Sequence, residues 1–158
     1  DVHLMVERVD DFVPLFTAAN PGLISFHPES SRHPLRTVQQ IAASGATPGV
    51  AIDPAMPVSL LEFLLPEVGL VCVMTVNPGY SGQPLVPSSL EKIEELSRWR
   101  EREGLRFEIE VDGNASWENI PKMVNAGADI IVAGSSSLFD SSMSRSDAMA
   151  RMETLCRE

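Results

Sequence analysis

Asp112 closes a short apolar, β-branched run, Glu110-Val111-Asp112-Gly113-Asn114, and a second such run closes at Val132-Ala133-Gly134-Ser135. A carboxylate at the end of one strand, beside small residues whose backbone N–H groups can face an anion, suits proton transfer on a phosphorylated sugar. A half-buried carboxylate either finds a cation or has its pKa raised, and both conditions serve that role. A third segment, Met74-Thr75-Val76-Asn77-Pro78-Gly79-Tyr80-Ser81-Gly82-Gln83-Pro84, puts two prolines and two glycines into a shaped loop whose backbone can approach a ligand. A tight turn would explain that loop equally well.

Three histidines are present. His3 is polar within an otherwise apolar strand and shares a face with Met5, because side chains alternate along a strand. His27 closes the next apolar run, in Ser25-Phe26-His27-Pro28-Glu29, at the end of a strand where barrels keep their sites. It could equally hold the following loop by hydrogen bonds. His33 reads as a loop residue without a role. Asp53 precedes Pro54, where a turn-initiating aspartate is common. Cys72, inside an apolar run, and Cys156, near the C-terminus, read as buried thiols rather than a disulfide or a metal pair.

These groups need a scaffold, and the apolar pattern supplies one. Six runs, Val2–Val6, Leu23–His27, Gly49–Asp53, Leu70–Val76, Arg106–Val111 and Asp129–Ala133, are nearly continuous in apolar residues, as strands covered on both faces should be. Helical stripes lie between them: Phe12, Leu15, Phe16 and Ala19; Leu35, Val38, Ile41 and Ala42, stopped at Gly45; Val58, Leu61 and Leu65; Leu90, Ile93, Leu96 and Arg100 within Ser88–Arg102; and Ile120, Met123 and Val124, stopped at Gly127. Alternation of this kind gives a parallel α/β sheet. An open doubly wound sheet would carry a GxGxxG turn after its first strand, and none follows Val2–Val6. Anion-type loops after the last two strands instead match the usual phosphate position of a TIM barrel, (β/α)8. The expected architecture is one N-terminally truncated barrel domain over residues 1–158, about six β/α units with strands three to eight present.

Composition narrows the partners. With 158 residues, 44% hydrophobic and a net charge of −10, the chain is globular, and it has no basic patch with which to neutralise a nucleic-acid backbone. No segment approaches the ~20 apolar residues that span a bilayer, and no signal peptide is evident; a cytoplasmic location and no membrane partner are the expectations. The absence of an initiator methionine and the start inside an apolar run suggest a cut chain.

Taken together, Asp1-Val2-His3-Leu4-Met5-Val6, Phe26-His27-Pro28-Glu29, Met74 to Gln83, Glu110-Val111-Asp112-Gly113 and Ala133-Gly134-Ser135 resemble the ribulose-phosphate 3-epimerase family. They occur in family order, and the loop from Asn77 to Gln83 is highly specific. Trp99 to Leu105 leading into Glu108 to Gly113, with His27-Pro28-Glu29, looks most like the allulose-6-phosphate 3-epimerase branch. The resemblance implies an isomerase that inverts C3 of a phosphorylated ketose, in a parent protein that is a homo-oligomer. It also implies a divalent metal ion (Zn, Fe, Mn or Co) held by two histidines and two aspartates from four strands. His3 and Asp112 match metal ligands, and Asp112 also matches one of two acid/base carboxylates. Gly79, Tyr80, Ser81 and Gly82, Gly113 with Asn114, and Gly134 with Ser135, together with His3 and Asp112, match substrate- and phosphate-binding positions; Met5 and Met74 match methionines that line the site.

Three departures qualify that reading. The family places its other metal histidine and its other acid/base aspartate on the second strand, and a serine on the first; none of these is in the chain, and His27 and Asp53 are not their substitutes. The chain alone is therefore expected to bind phosphate weakly and not to turn over. Asn114 stands where pentose-phosphate members usually carry glycine, which favours a hexulose phosphate. Asp53-Pro54-Ala55 replaces the more usual Asn-Pro-Gly or Asn-Pro-Glu. A non-catalytic phosphosugar-binding barrel is the alternative from another class. An aldolase would need a Schiff-base lysine at a strand end, yet Lys92 and Lys122 fall in expected helices, and a decarboxylase would need an Asp/Lys array on strands.

Overall fold

The computed structural model describes residues 1–157. Six strands, β1 (Val2–Leu4), β2 (Leu23–Phe26), β3 (Thr47–Ile52), β4 (Leu70–Met74), β5 (Glu108–Asp112) and β6 (Ile130–Ile131), form one parallel sheet in chain order. The helices between and after them are α1 (Val13–Thr17), α2 (Pro34–Ala43), α3 (Ser88–Glu103), α4 (Ile120–Ala126) and α5 (Arg145–Leu155).

Register sorts the strand residues onto two faces. Leu4, Phe26, Val50, Val71 and Ile109 align on one, and with Val38 and Ile41 of α2, Ile93 and Leu96 of α3 and Met123 of α4 they make the main core. The other face carries His3, Ser25, Gly49 and Leu70 in one row, Ala51, Cys72, Glu110 and Ile130 in the next, and Met74 with Asp112 above them. Its apolar members Ala51, Leu70, Cys72 and Met74 form a second, smaller core with Leu23 and Ile130. Strands about 4.8 Å apart would place β1 and β4 about 14 Å apart in a flat sheet. His3 Nδ1 instead lies 4.0 Å from Cys72 Sγ. The sheet is curled with the second face on its concave side, the arrangement of a partial (β/α) barrel.

Local structure differs from the sequence pattern in three places. The stripe through Val58, Leu61 and Leu65 is two 3-10 turns, Val58–Leu61 and Leu65–Glu67, because Pro66 has no N–H to continue a helix. The stripe at Phe12 is likewise shortened, to a 3-10 turn at Val9–Asp11 followed by the five residues of α1. Helix α5, absent from the sequence pattern, turns Ala148, Met152 and Leu155 toward the core; its start is fixed by the N-cap Ser144, whose Oγ accepts from Asp147 N at 3.2 Å and donates to Asp147 Oδ2 at 2.7 Å. Its Arg151 guanidinium lies 4.7 Å from the Trp117 ring centre.

Candidate functional site

The loops after β4, β5 and β6 open on one side of the sheet and enclose a cleft of about 620 Å³. Its wall consists of Met5, Met74, the loop from Val76 to Gln83, Asp112 to Ala115, and Val132 with Gly134 to Ser136. Backbone and amide hydrogen bonds hold these loops in register. Gln83 is buried; its Nε2 donates to the carbonyl oxygens of Asn77 (2.5 Å) and Tyr80 (2.9 Å), closing the β4 loop on itself. Asn114 Nδ2 donates to Gln83 O at 2.6 Å, and Asn119 Nδ2 donates to Asn114 Oδ1 at 2.9 Å, so the β5 loop is tied to the β4 loop. The Thr75 hydroxyl sits against the carbonyl oxygens of Asp112 and Gly113. Gly113 has φ +116°, and a Cβ there would come within 2.6 Å of Val76 Cγ2 and 3.0 Å of Val76 N. Only glycine fits both that backbone conformation and that approach.

Asp112 is half-buried at the floor of the cleft. Loss of water pushes its carboxyl pKa up, and a hydrogen bond from the Gly113 N–H partly offsets this. Glu110, two residues earlier on the same face and 4% exposed, is also pushed up, first by burial; contact with the Cys72 thiol acts against that. Cys72 is buried beside these carboxylates, and its thiol is raised well above the usual range, chiefly by burial.

A second cluster lies at the ends of β1, β2 and β3. His3 Nε2 and His27 Nε2 are 3.0 Å apart, with the rings stacked at a centroid distance of 5.1 Å. His27 Nδ1 faces Asp53 Oδ1 at 3.1 Å and Glu29 Oε1 at 3.5 Å. Asp53 Oδ1 is buried and, among the described residues, makes no hydrogen bond beyond this contact with His27. Burial lowers the His3 pKa to about 4, assisted by neighbouring His27 and opposed by Asp53, so the ring is neutral at pH 7. Lys92 of α3 reaches under the loop after β3 and donates from Nζ to the carbonyl oxygens of Asp53 (2.6 Å) and Met56, which fixes where Asp53 stands. A smaller cleft of about 490 Å³, lined by His27, Glu29 and Asp53 among others, shares Met5 and Pro78 with the larger one.

The larger cleft thus brings together Asp112, Gly79, Tyr80, Ser81, Gly82, Gly113, Asn114, Gly134, Ser135, Met5 and Met74. His3 is not on its wall; it sits across the concave face against His27 and Cys72. The donor chemistry of His3 and Asp112 nonetheless suits a divalent ion. A neutral imidazole offers a lone pair, and a carboxylate short of water gains from a cation. Sequence reasoning left Glu110, Glu29, Gln83 and Lys92 without a role and weighed His27 and Asp53 only singly. The i, i+2 spacing of Glu110 and Asp112 was the available signal for Glu110. The meeting of His27, Glu29 and Asp53 depends on strand register and loop path.

Residues 1–139 match the ribulose-phosphate 3 epimerase family. A ribulose-phosphate 3-epimerase of Escherichia coli K12 is 43% identical over 140 residues, covering 89% of this chain and 62% of that protein. Ribulose-phosphate 3-epimerase 2 of Cupriavidus necator is 43% identical over 139 residues (85% and 58%), and the Bacillus subtilis ribulose-phosphate 3-epimerase is 41% identical over 136 residues (85% and 63%). The chain therefore spans about three fifths of the length of these relatives. Among solved structures, a thiamine phosphate pyrophosphorylase from Pyrococcus furiosus covers 98% of this chain and 80% of its own at 14% identity, with a TM-score of 0.40, too low to bear on fold or function. On its sequence match, this chain belongs to the ribulose-phosphate 3-epimerase family.

Proposed function

We propose that these residues carry the phosphate-binding side and one acid/base face of a ketose-phosphate 3-epimerase. The observation that supports this most directly is the single cleft that places Asp112 beside the three loops of small residues. Asp112 removes or returns the C3 proton on one face of the substrate, and its raised pKa brings it closer to the working pH of a general base. Backbone groups of Gly79 to Gly82, Gly113 with Asn114, and Gly134 with Ser135 hold the phosphate, converting remote binding energy into orientation at C3. Met5 and Met74 flank the reacting carbon and exclude water. His3 and Asp112 would hold the divalent ion, which when bound supplies electrostatic stabilisation to the oxyanion that develops as the proton leaves.

The two substrates in view are ribulose 5-phosphate and allulose 6-phosphate. We favour the pentulose. The relatives named above carry its name, and the Asn114 amide, the residue that favoured a hexulose, is occupied by Gln83 and Asn119. We read the chain as one incomplete barrel domain holding strands three to eight, from a cytoplasmic, homo-oligomeric parent. Alone it contains two of the four ligand positions that the family resemblance implies, so its own turnover is expected to be absent.

The test is exchange of the C3 hydrogen with solvent deuterium, followed by NMR on both substrates with the complete barrel. Exchange that is faster on ribulose 5-phosphate and lost with a chelator is the expected result. Phosphate binding with no exchange on either substrate would instead establish a phosphosugar-binding protein.

A further inference from the structure

The contact between His3 and His27 has few chemical solutions. Their Nε2 atoms are 3.0 Å apart, so one must carry a proton and the other a lone pair. In a neutral imidazole the state of one nitrogen fixes that of the other. If a neutral His27 supplied the shared proton, its Nδ1 lone pair would face Asp53 Oδ1 at 3.1 Å and Glu29 Oε1 at 3.5 Å, three acceptors with no donor among them. If His3 supplies it, a His27 Nδ1 proton faces both carboxylates. His3 Nδ1 is then left with a lone pair on the concave side, 4.0 Å from the Cys72 thiol. The second arrangement leaves no acceptors opposed.

We propose that His27, biased by Asp53 and Glu29, is a positioning residue that fixes His3 as its Nε2–H tautomer and so makes Nδ1 the atom that His3 offers to a divalent ion. A metal-bound histidine almost always donates its other ring N–H to a neighbour that orients it. Here the neighbour is a second histidine whose own polarity is set by two carboxylates, and Lys92 anchors the loop bearing one of them. The consequence for metal binding rests on the functional reading above. The tautomer itself does not, because it exists in the metal-free protein.

Long-range ¹H–¹⁵N correlation spectra of the metal-free, ¹⁵N-labelled protein at about pH 8, above the usual imidazole range, read the tautomers directly. His3 should show a protonated Nε2 and an unprotonated Nδ1, and His27 the reverse pattern. Removing the bias with Asp53→Leu combined with Glu29→Leu should shift the His3 nitrogens toward averaged values, while Asp53→Asn, which keeps an acceptor, should preserve the pattern. His27→Phe should weaken binding of Zn²⁺ alone by about 10- to 100-fold. Should that variant fail to fold, the Asp53 and Glu29 variants carry the same test. A wild-type His3 protonated at Nδ1 would overturn the proposal, and so would a His27 protonated on both nitrogens or Zn²⁺ bound at His27 Nδ1. A protein with the expected tautomers that fails the C3 exchange assay would overturn the functional reading and leave the positioning role standing.

Discussion

The two clefts meet at Met5 and Pro78 yet are built on opposite principles. The larger is made of backbone: its shape comes from glycines, carbonyl oxygens and the amides of Gln83 and Asn114, with Asp112 as its one acid. The smaller is made of side chains: His27, Glu29 and Asp53 line it, with His3 in contact with His27, and its function depends on where protons sit. A backbone site tolerates changes of charge and fails when its conformation is altered. A side-chain site fails when a single proton is misplaced.

The largest expected effect is chemical. Asp112→Asn in the complete barrel keeps the shape of the side chain and removes its basicity, so C3 exchange should fall by about 10²- to 10⁴-fold with inorganic phosphate binding nearly unchanged. A matching loss of phosphate affinity would mean that Asp112 supports the cleft rather than the reaction. Gly113→Ala tests the opposite case. The new Cβ forces a residue with φ +116° to within 2.6 Å of Val76 Cγ2, and strain plus overlap should cost about 2–4 kcal/mol in urea unfolding. Phosphate binding should be lost along with stability, since the conformation at Gly113 is part of the cleft.

This difference in construction explains what could be read in the sequence. The cleft comes from contiguous segments, Asn77 to Gln83 and Asp112 to Asn114, whose glycines, prolines and small polar residues mark them in the sequence as shaped loops. The strands and α2, α3 and α4 were visible for a related reason, because apolar periodicity and stop residues such as Gly45 and Gly127 are local signals. The corner of His3, His27, Glu29 and Asp53 is hidden because sheet register brings His3 and Asp53, each 24 or more positions from His27, to the His27-Pro28-Glu29 segment. Helix α5 is harder to read because exposed Met149 and Ala150 blur the short stripe of Ala148, Met152 and Leu155; Ser144 and Asp147, three positions apart, are the clearer signal.

The corner should also govern how stability depends on pH. The folded-state pKa of His3 is about 4, against 6.5 for the free side chain. Between those values the unfolded chain binds a proton that the folded chain does not. Stability therefore rises with pH across that window, is complete above about 6.5 and is lost as pH falls toward 4. After discounting for the partly solvated ring, the change should be about 2 kcal/mol. Asp112 and Glu110 act in the reverse sense. Their raised pKa values mean that the folded state holds its protons longer, so they remove stability as pH rises just above the ordinary carboxylate range. Urea titrations between about pH 5 and pH 7.5 should therefore show a positive slope that His3→Gln flattens; an unchanged slope in that variant would assign it to other groups.

Gln83→Met gives the smallest effect on stability and the sharpest contrast between the sites. The substitution keeps the length and burial of the side chain while removing the amide that holds Asn77 O and Tyr80 O and the shape of the β4 loop. Tyr80 is 72% exposed, so that part of the loop can turn its carbonyl to water, and the net loss should be near the usual ~1 kcal/mol for a hydrogen bond rather than the cost of a buried orphan. What should suffer is preorganisation. The loop amides then have to be ordered by the ligand, and phosphate affinity measured by calorimetry should fall about 5- to 10-fold, roughly the same ~1 kcal/mol expressed as binding. The pH slope set by His3 should survive intact, because no hydrogen bond of Gln83 reaches β1 or β2. If Gln83→Met flattened that slope, the two clefts would be one cooperative unit, and backbone and side-chain construction would no longer be separable in this molecule.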